Sequence, residues 1–290
     1  MKKKSKYKLL IIIFLLFSVI VFFLMFNKEK QESRTLFSWN NIEVKNGGSE
    51  LFKIMKEIKL NTLYQEFSED LKKEDIKKFL KVANTNKIEV CLLAGNPKWA
   101  LDKTGEPMLN TVKRVKELNK SLNNKLKIKT IVFDIEPYQL EDWEAKDKEE
   151  ILDGFVEGMK IAYKSANENK IKIILCIPYF YDNIGLTRQL GDLIETGCDS
   201  VAVMNYYRDK EVKNLMQEVE FTHKYGKKLI TIYELQAPGT HGLTEKNTYY
   251  NEGILKIEKN FDNIKREFPE KDISIAFHEF NSMKEMLGYE

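Results

Sequence analysis

Histidine and cysteine are scarce in this 290-residue chain, with three of each. His223, His241 and His278 are scattered, with no H-x-H or H-E-x-x-H spacing, so the usual zinc-hydrolase motifs are missing. Cys91, Cys176 and Cys198 form no C-x-x-C and no paired framework, which removes a thioredoxin-type motif and a disulfide scaffold. Cys91 and Cys176 lie in apolar runs and read as small buried hydrophobes. No glycine fingerprint follows the first predicted strand, which argues against a dinucleotide-binding sheet. Low-complexity segments and short repeats are also missing. An excess of charge of one sign is nearly lacking, since the net charge is +3. Five of the 47 basic residues are lysines within residues 2–8; the 42 others face 44 acidic ones. No electrostatic footprint for nucleic acid remains. Neither a metal nor a cofactor is expected.

Long apolar runs are also missing, with one exception. After Lys2, Lys3, Lys4, Lys6 and Lys8, residues 9–26 read LLIIIFLLFSVIVFFLMF, interrupted only by Ser18. As a helix this run would span roughly 27 Å, close to a hydrocarbon core. A buried soluble helix is rarely apolar on every face. A signal peptide usually has a shorter apolar region and ends in small residues; here NKEKQESR follows. The expectation is a transmembrane anchor with its basic tail inside and the rest of the chain extracytoplasmic. Secretion after signal cleavage is the alternative. Residues 1–8 are then a basic tail, 9–26 the membrane helix, 27–34 a linker and 35–290 the folded domain.

Beyond the linker two patterns alternate. Short apolar or β-branched runs predict strands at 35–40, 61–68, 88–97, 128–138, 172–180, 200–207, 228–236 and 273–280. Amphipathic stretches predict helices between them, from Ser49, from Ser68 as an N-cap, and over about 108–122, 148–168, 187–196, 211–225 and 250–267. A short one closes the chain. Eight strand–helix units in about 255 residues is the rhythm of a (β/α)8 TIM barrel in the α/β class.

In such barrels chemistry sits at the C-terminal strand ends. The fourth strand reads IVFDIEPY, and strand alternation puts Asp134 and Glu136 on one side with Val132. Two neighbouring carboxylates push one pKa up and create an acid near neutral pH. Other strand ends are polar and aromatic as well: Trp39, Gln65 and Glu66, Tyr179 and Tyr181, Asn205, Tyr206 and Arg208, Glu234 and Gln236, His278 and Glu279. Trp99 and Trp143 follow strands three and four, where their rings could stack on sugars. Tyr138 adds a further aromatic group beside Glu136. The long loop after strand seven, with Gly239 and Gly242, reads as a possible lid.

FDIE on strand four together with MNYY on strand six resembles glycoside hydrolase family 18 and its relatives. That family carries D-x-x-D-x-D-x-E and M-x-Y at these places. The resemblance implies that Glu136 is the general acid. It implies that Asp134 positions a substrate 2-acetamido nucleophile and that Tyr206 holds that group. Lys129 and Val132 stand where the family has its earlier acids. Trp39, Trp99, Tyr138, Tyr179, Asn205, Arg208, His278 and Glu279 are the expected substrate-binding residues.

Two other readings stay open. Glu234 on strand seven could be a direct nucleophile with Glu136 as acid, as in many retaining barrel glycosidases. The barrel could also bind carbohydrate without cleaving it. A metal-dependent deacetylase finds no support in the histidine pattern. The expected partners are a poly- or oligosaccharide and the membrane; no oligomeric state is read from the sequence.

Overall fold

A computed structural model describes residues 32–269 and 271–289. Its eight strands are all parallel and close into a barrel in sequence order. They are β1 (Arg34–Ser38), β2 (Thr62–Glu66), β3 (Glu89–Ala94), β4 (Thr130–Phe133), β5 (Lys172–Pro178), β6 (Ser200–Met204), β7 (Lys228–Glu234) and β8 (Ile273–His278). The helices are α1 (Asn41–Asn46), α2 (Ser49–Glu57), α3 (Lys73–Thr85), α4 (Glu106–Lys120) and α5 (Lys148–Glu168). They continue with α6 (Thr187–Thr196), α7 (Glu211–Asn214), α8 (Met216–Tyr225), α9 (Ile254–Glu267) and α10 (Phe280–Met286). The expected (β/α)8 barrel is the observed one. The expected membrane helix at 9–26 lies outside the described residues. Among the described residues, no helix is long and apolar enough to cross a membrane.

Strand alternation builds two apolar layers. Phe37, Tyr64, Cys91, Leu93, Val132, Cys176, Ala202, Met204, Ile230, Ile232 and Ala276 fill the barrel interior. Their odd-step neighbours, such as Leu36, Leu63, Ile131, Phe133, Val203 and Phe277, pack outward beneath the helices. Each fully buried aliphatic or aromatic side chain contributes roughly 1.5–3 kcal/mol, so this double layer dominates stability. All three cysteines are free and buried.

Several boundaries differ from expectation for local reasons. The first strand stops at Ser38, because Asn40 caps α1 by accepting from the backbone N–H of Ile42 and Glu43. Ser68 is not an N-cap: its hydroxyl donates to Asp70 at 2.5 Å, and α3 starts only at Lys73. The fourth strand ends at Phe133, and after one further backbone bond, from Asp134, the chain runs to a 3-10 turn at Pro137–Gln139. The 211–225 helix breaks at Leu215 into α7 and α8.

Candidate active site

The interior layer steps by two into a cavity of about 530 Å³ at the C-terminal ends of the strands. On β7 the step runs Ile230, Ile232, Glu234. On β8 it runs Ala276, His278. Past β6 it runs Ala202, Met204, Tyr206, and past β4 Val132, Asp134, Glu136. This parity brings Asp134, Glu136, Tyr206, Glu234 and His278 to one cavity wall. Trp39, Tyr138 and Tyr179 line the same cavity.

The strand-four carboxylates are held by backbone. Asp134 donates its N–H to the Ala94 carbonyl at 2.9 Å, extending the β3–β4 contact by one residue. Gly95 makes that approach possible: a Cβ there would lie 1.8 Å from the Asp134 carbonyl oxygen. Ile135 is buried on the outer layer, which anchors the segment between the two acids. Pro137 starts the 3-10 turn, and the turn swings Tyr138 back so that its hydroxyl donates to Glu136 Oε2.

The electrostatics distinguish the acids. Burial, then the Asp134 charge, pushes Glu136 up to about 7 against a pull downward from the Tyr138 hydrogen bond. Burial also raises Asp134; the His278 charge and a hydrogen bond from the Cys176 thiol draw it back, while Glu234 adds to the rise. Glu234 is almost fully buried, and both its oxygens are engaged. Oε1 accepts from the backbone N–H of Leu235 at 2.9 Å and of Gln236 at 2.8 Å, and Oε2 lies 3.0 Å from His278 Nδ1. Glu234 and His278 are cross-strand partners in the β7–β8 register, which sets them side by side. Burial alone would lower His278; the charge and hydrogen bond of Glu234, with Asp134 behind them, override it and raise the ring to about 9. Burial and the nearby carboxylates keep the Tyr206 phenol neutral, so it stays a hydrogen-bond donor.

Residues that the sequence reading did not select complete the cavity. Phe180 meets the Tyr138 ring edge-on at 5.2 Å. Met204 lies at the floor, one interior step before Tyr206, and strand parity would have found it. The loop after β7 contributes His241, Leu243 and Asn247. Asn247 Nδ2 donates to the Tyr206 carbonyl at 2.7 Å and so ties the loop to β6. Among the described residues, no Lys or Arg lines the cavity. Among the described residues, no three His, Cys, Asp or Glu side chains group to hold a metal ion.

Four expected substrate-binding residues lie elsewhere. Asn205 and Glu279 have outward parity. Asn205 is buried, donating to the Glu211 carbonyl and Thr231 Oγ1 and accepting from Asn214. Glu279 caps α10 through the N–H groups of Asn281 and Ser282. Arg208 pairs with Glu252 and lies over the Tyr249 ring. Trp99 packs edge-on against Phe133 and lines a separate cleft with Glu66 and Arg114. Trp143 is buried in the outer core with the Lys148 ammonium over its ring, and Tyr181 is buried as well.

No protein-family model matches the chain, and no curated protein matches it. Among solved structures, the fold is similar to a GH18 chitinase from Pseudoalteromonas aurantia. That match has a TM-score of 0.50 at 11% identity, covering 88% of this chain and 98% of the other. It is equally similar to D-psicose 3-epimerase from Clostridium cellulolyticum H10, solved with D-tagatose. There the TM-score is 0.50 at 14% identity, covering 84% of each chain. At such identities the likeness concerns the barrel alone. One scaffold serves a chitinase and an epimerase, so function has to be argued from the site.

Proposed function

We propose that the barrel hydrolyses glycosidic bonds with Glu136 as general acid and a substrate 2-acetamido group as nucleophile. The observation that carries this reading is the Glu136 carboxyl, raised to about 7 beside Asp134 in a cavity walled by aromatic rings. A carboxyl with that pKa keeps its proton near neutrality and can give it to a leaving oxygen. As the C1–O bond breaks, the acetamido carbonyl oxygen bonds to C1 and an oxazolinium ion forms. Asp134 accepts a hydrogen bond from its N–H and balances its charge, and the Tyr206 hydroxyl holds the acetamido oxygen. Water then bonds to C1 and passes its proton to the Glu136 carboxylate, and the oxazoline ring opens. Trp39, Tyr138 and Tyr179 offer ring faces and edges for the sugar. The lack of Lys and Arg around the cavity among the described residues suits a neutral glycan better than a polyanionic one.

The rival nucleophile Glu234 is less well supported, because two backbone N–H groups and His278 occupy its oxygens. The lysine block and the apolar run at 9–26 support an anchored, extracytoplasmic barrel acting on cell-wall or exopolysaccharide glycans. Sizing the chain in the membrane fraction tests the anchor; a shortened, released chain means a cleaved signal instead. The chemistry is tested with matched 2-acetamido and 2-hydroxy oligosaccharides and the full-length chain. Cleavage of the acetamido set alone is expected, and Glu136→Gln should lower kcat/KM by about 10²–10⁴. Wild-type turnover by that variant would falsify the assignment. Saccharide binding with no turnover of either set would favour the non-catalytic reading.

A further inference from the structure

Asp134 has an unusual setting for a carboxylate. Its Oδ1 is buried without a hydrogen-bond partner, and the interior position below it is Val132. Nothing directly beneath it on its own strand can share a proton or supply a charge. The compensating group comes from across the barrel. His278 lines the same cavity, its Nδ1 is committed to Glu234, and its ring is flanked edge-on by Phe37 at 5.5 Å and by the tilted Tyr206 ring at 6.3 Å. Glu234 in turn is fixed by the two N–H groups of its own following residues. The ring therefore sits in a rigid cradle.

We infer that His278, clamped by Glu234, is a positioning cation that keeps Asp134 ionised while the neighbouring Glu136 carries the acid proton. The inference rests on the glycosidase reading above. Three carboxyl groups, those of Asp134, Glu136 and Glu234, share one largely buried cavity, and they cannot all be charged without compensation. One imidazolium and one proton resolve the conflict, and geometry decides where each acts. The imidazolium neutralises Glu234 by contact and acts next on Asp134, whose charge in turn acts on the ring. Glu136 instead has the neutral Tyr138 hydroxyl as its partner. The proton is thereby directed to Glu136, the group that has to give it away.

The charged or titratable groups acting on His278 come from every side. Glu234 faces it from β7, Asp134 and Glu136 from beyond β4, and the Tyr206 phenol from beyond β6. Glu279 follows it in sequence, past the end of β8, and β1 places the Phe37 ring against it. The raised basicity of the ring, to about 9, agrees with a permanently charged His278 at neutral pH.

The test uses the full-length chain, His278→Gln and Glu234→Gln, with kcat/KM on a 2-acetamido glycoside followed against pH. Loss of the cation should move the acidic limb of the profile upward by about one pH unit in His278→Gln, whereas Glu234→Gln, which removes an anion along with part of the ring's basicity, should move it less. The histidine-ring nitrogen NMR signal that disappears in His278→Gln should titrate near 9 in the wild type and at a lower pH in Glu234→Gln. A variant harmed only in packing would lose rate at every pH and keep its limb in place, and that result overturns the role. So does a near-inactive Glu234→Gln beside a His278→Gln with the wild-type profile, which marks Glu234 as the nucleophile. If the wild type cleaves no 2-acetamido glycoside, the glycosidase reading itself falls, and this role with it. Turnover with an unmoved limb removes this role alone.

Discussion

Replacing Glu136 by Gln should inactivate the protein and, at alkaline pH, make it more stable. An acid whose pKa is raised by the fold supports the fold only while protonated. For Glu136 the contribution is complete below its ordinary value of 4.5 and is lost as pH climbs through about 7. With about 1.4 kcal/mol per pKa unit, ionising it in place weakens the fold by about 3 kcal/mol. Gln resembles the protonated acid in shape and charge but never ionises. At pH 5 the variant and the wild type should melt at a similar offset; by pH 9 the variant should have gained about 6 °C on the wild type. Differential scanning calorimetry from pH 5 to pH 9 reads this directly and needs no substrate. An offset that stays constant across the range refutes the reasoning. It would mean that Glu136 is no harder to ionise in the fold than in water, and the general-acid assignment would lose its physical basis.

Two further substitutions probe the scaffold. Gly95→Ala puts a Cβ 1.8 Å from the Asp134 carbonyl oxygen, so backbone must move; urea denaturation should show a loss of about 1–3 kcal/mol together with reduced kcat/KM. A variant with wild-type stability and rate would mean that the β3–β4 approach does not position Asp134. Asn205→Ala breaks contacts to Glu211, Thr231 and Asn214 and should lower stability by about 1–3 kcal/mol without changing KM. A raised KM at unchanged stability would return Asn205 to the substrate.

The barrel was readable because each strand announces itself by alternation and each helix by its apolar face. The bounds of α5 and α6 match expectation residue for residue, helped at α5 by the Asp147 side chain, which caps its first turn. The acids were readable for the same reason: period two carries Val132 to Asp134 to Glu136. Parity applied strictly would also have rejected Asn205 and Glu279 and selected Met204. What alternation could not supply is pairing across strands. The Glu234–His278 contact joins residues 44 apart in sequence and exists only because β7 and β8 meet in one register. Trp99, Trp143 and Arg208 lie outside the cavity because loop paths decide where their side chains rest, and those paths depend on partners such as Phe133 and Glu252.

The loop after β7 is fastened to the barrel at its return, and its tip bonds mainly to itself. Thr248 and Tyr249 bond the carbonyls of Glu234 and Gln236, Lys246 accepts from Arg208, and Asn247 holds Tyr206. At the tip, a backbone bond from Gly239 to Leu243 closes the turn on itself, and His241 and Leu243 reach the cavity from there. For protein engineering this is a cassette. His241 and Leu243 can be diversified, with Gly239 and Gly242 kept for their positive φ, to reshape one side of the cavity while the acids, the imidazole and their supports stay in place. Inheritance has the same freedom: descendants of one such barrel could diverge in what the cavity admits through a few tip residues before any change at the acids.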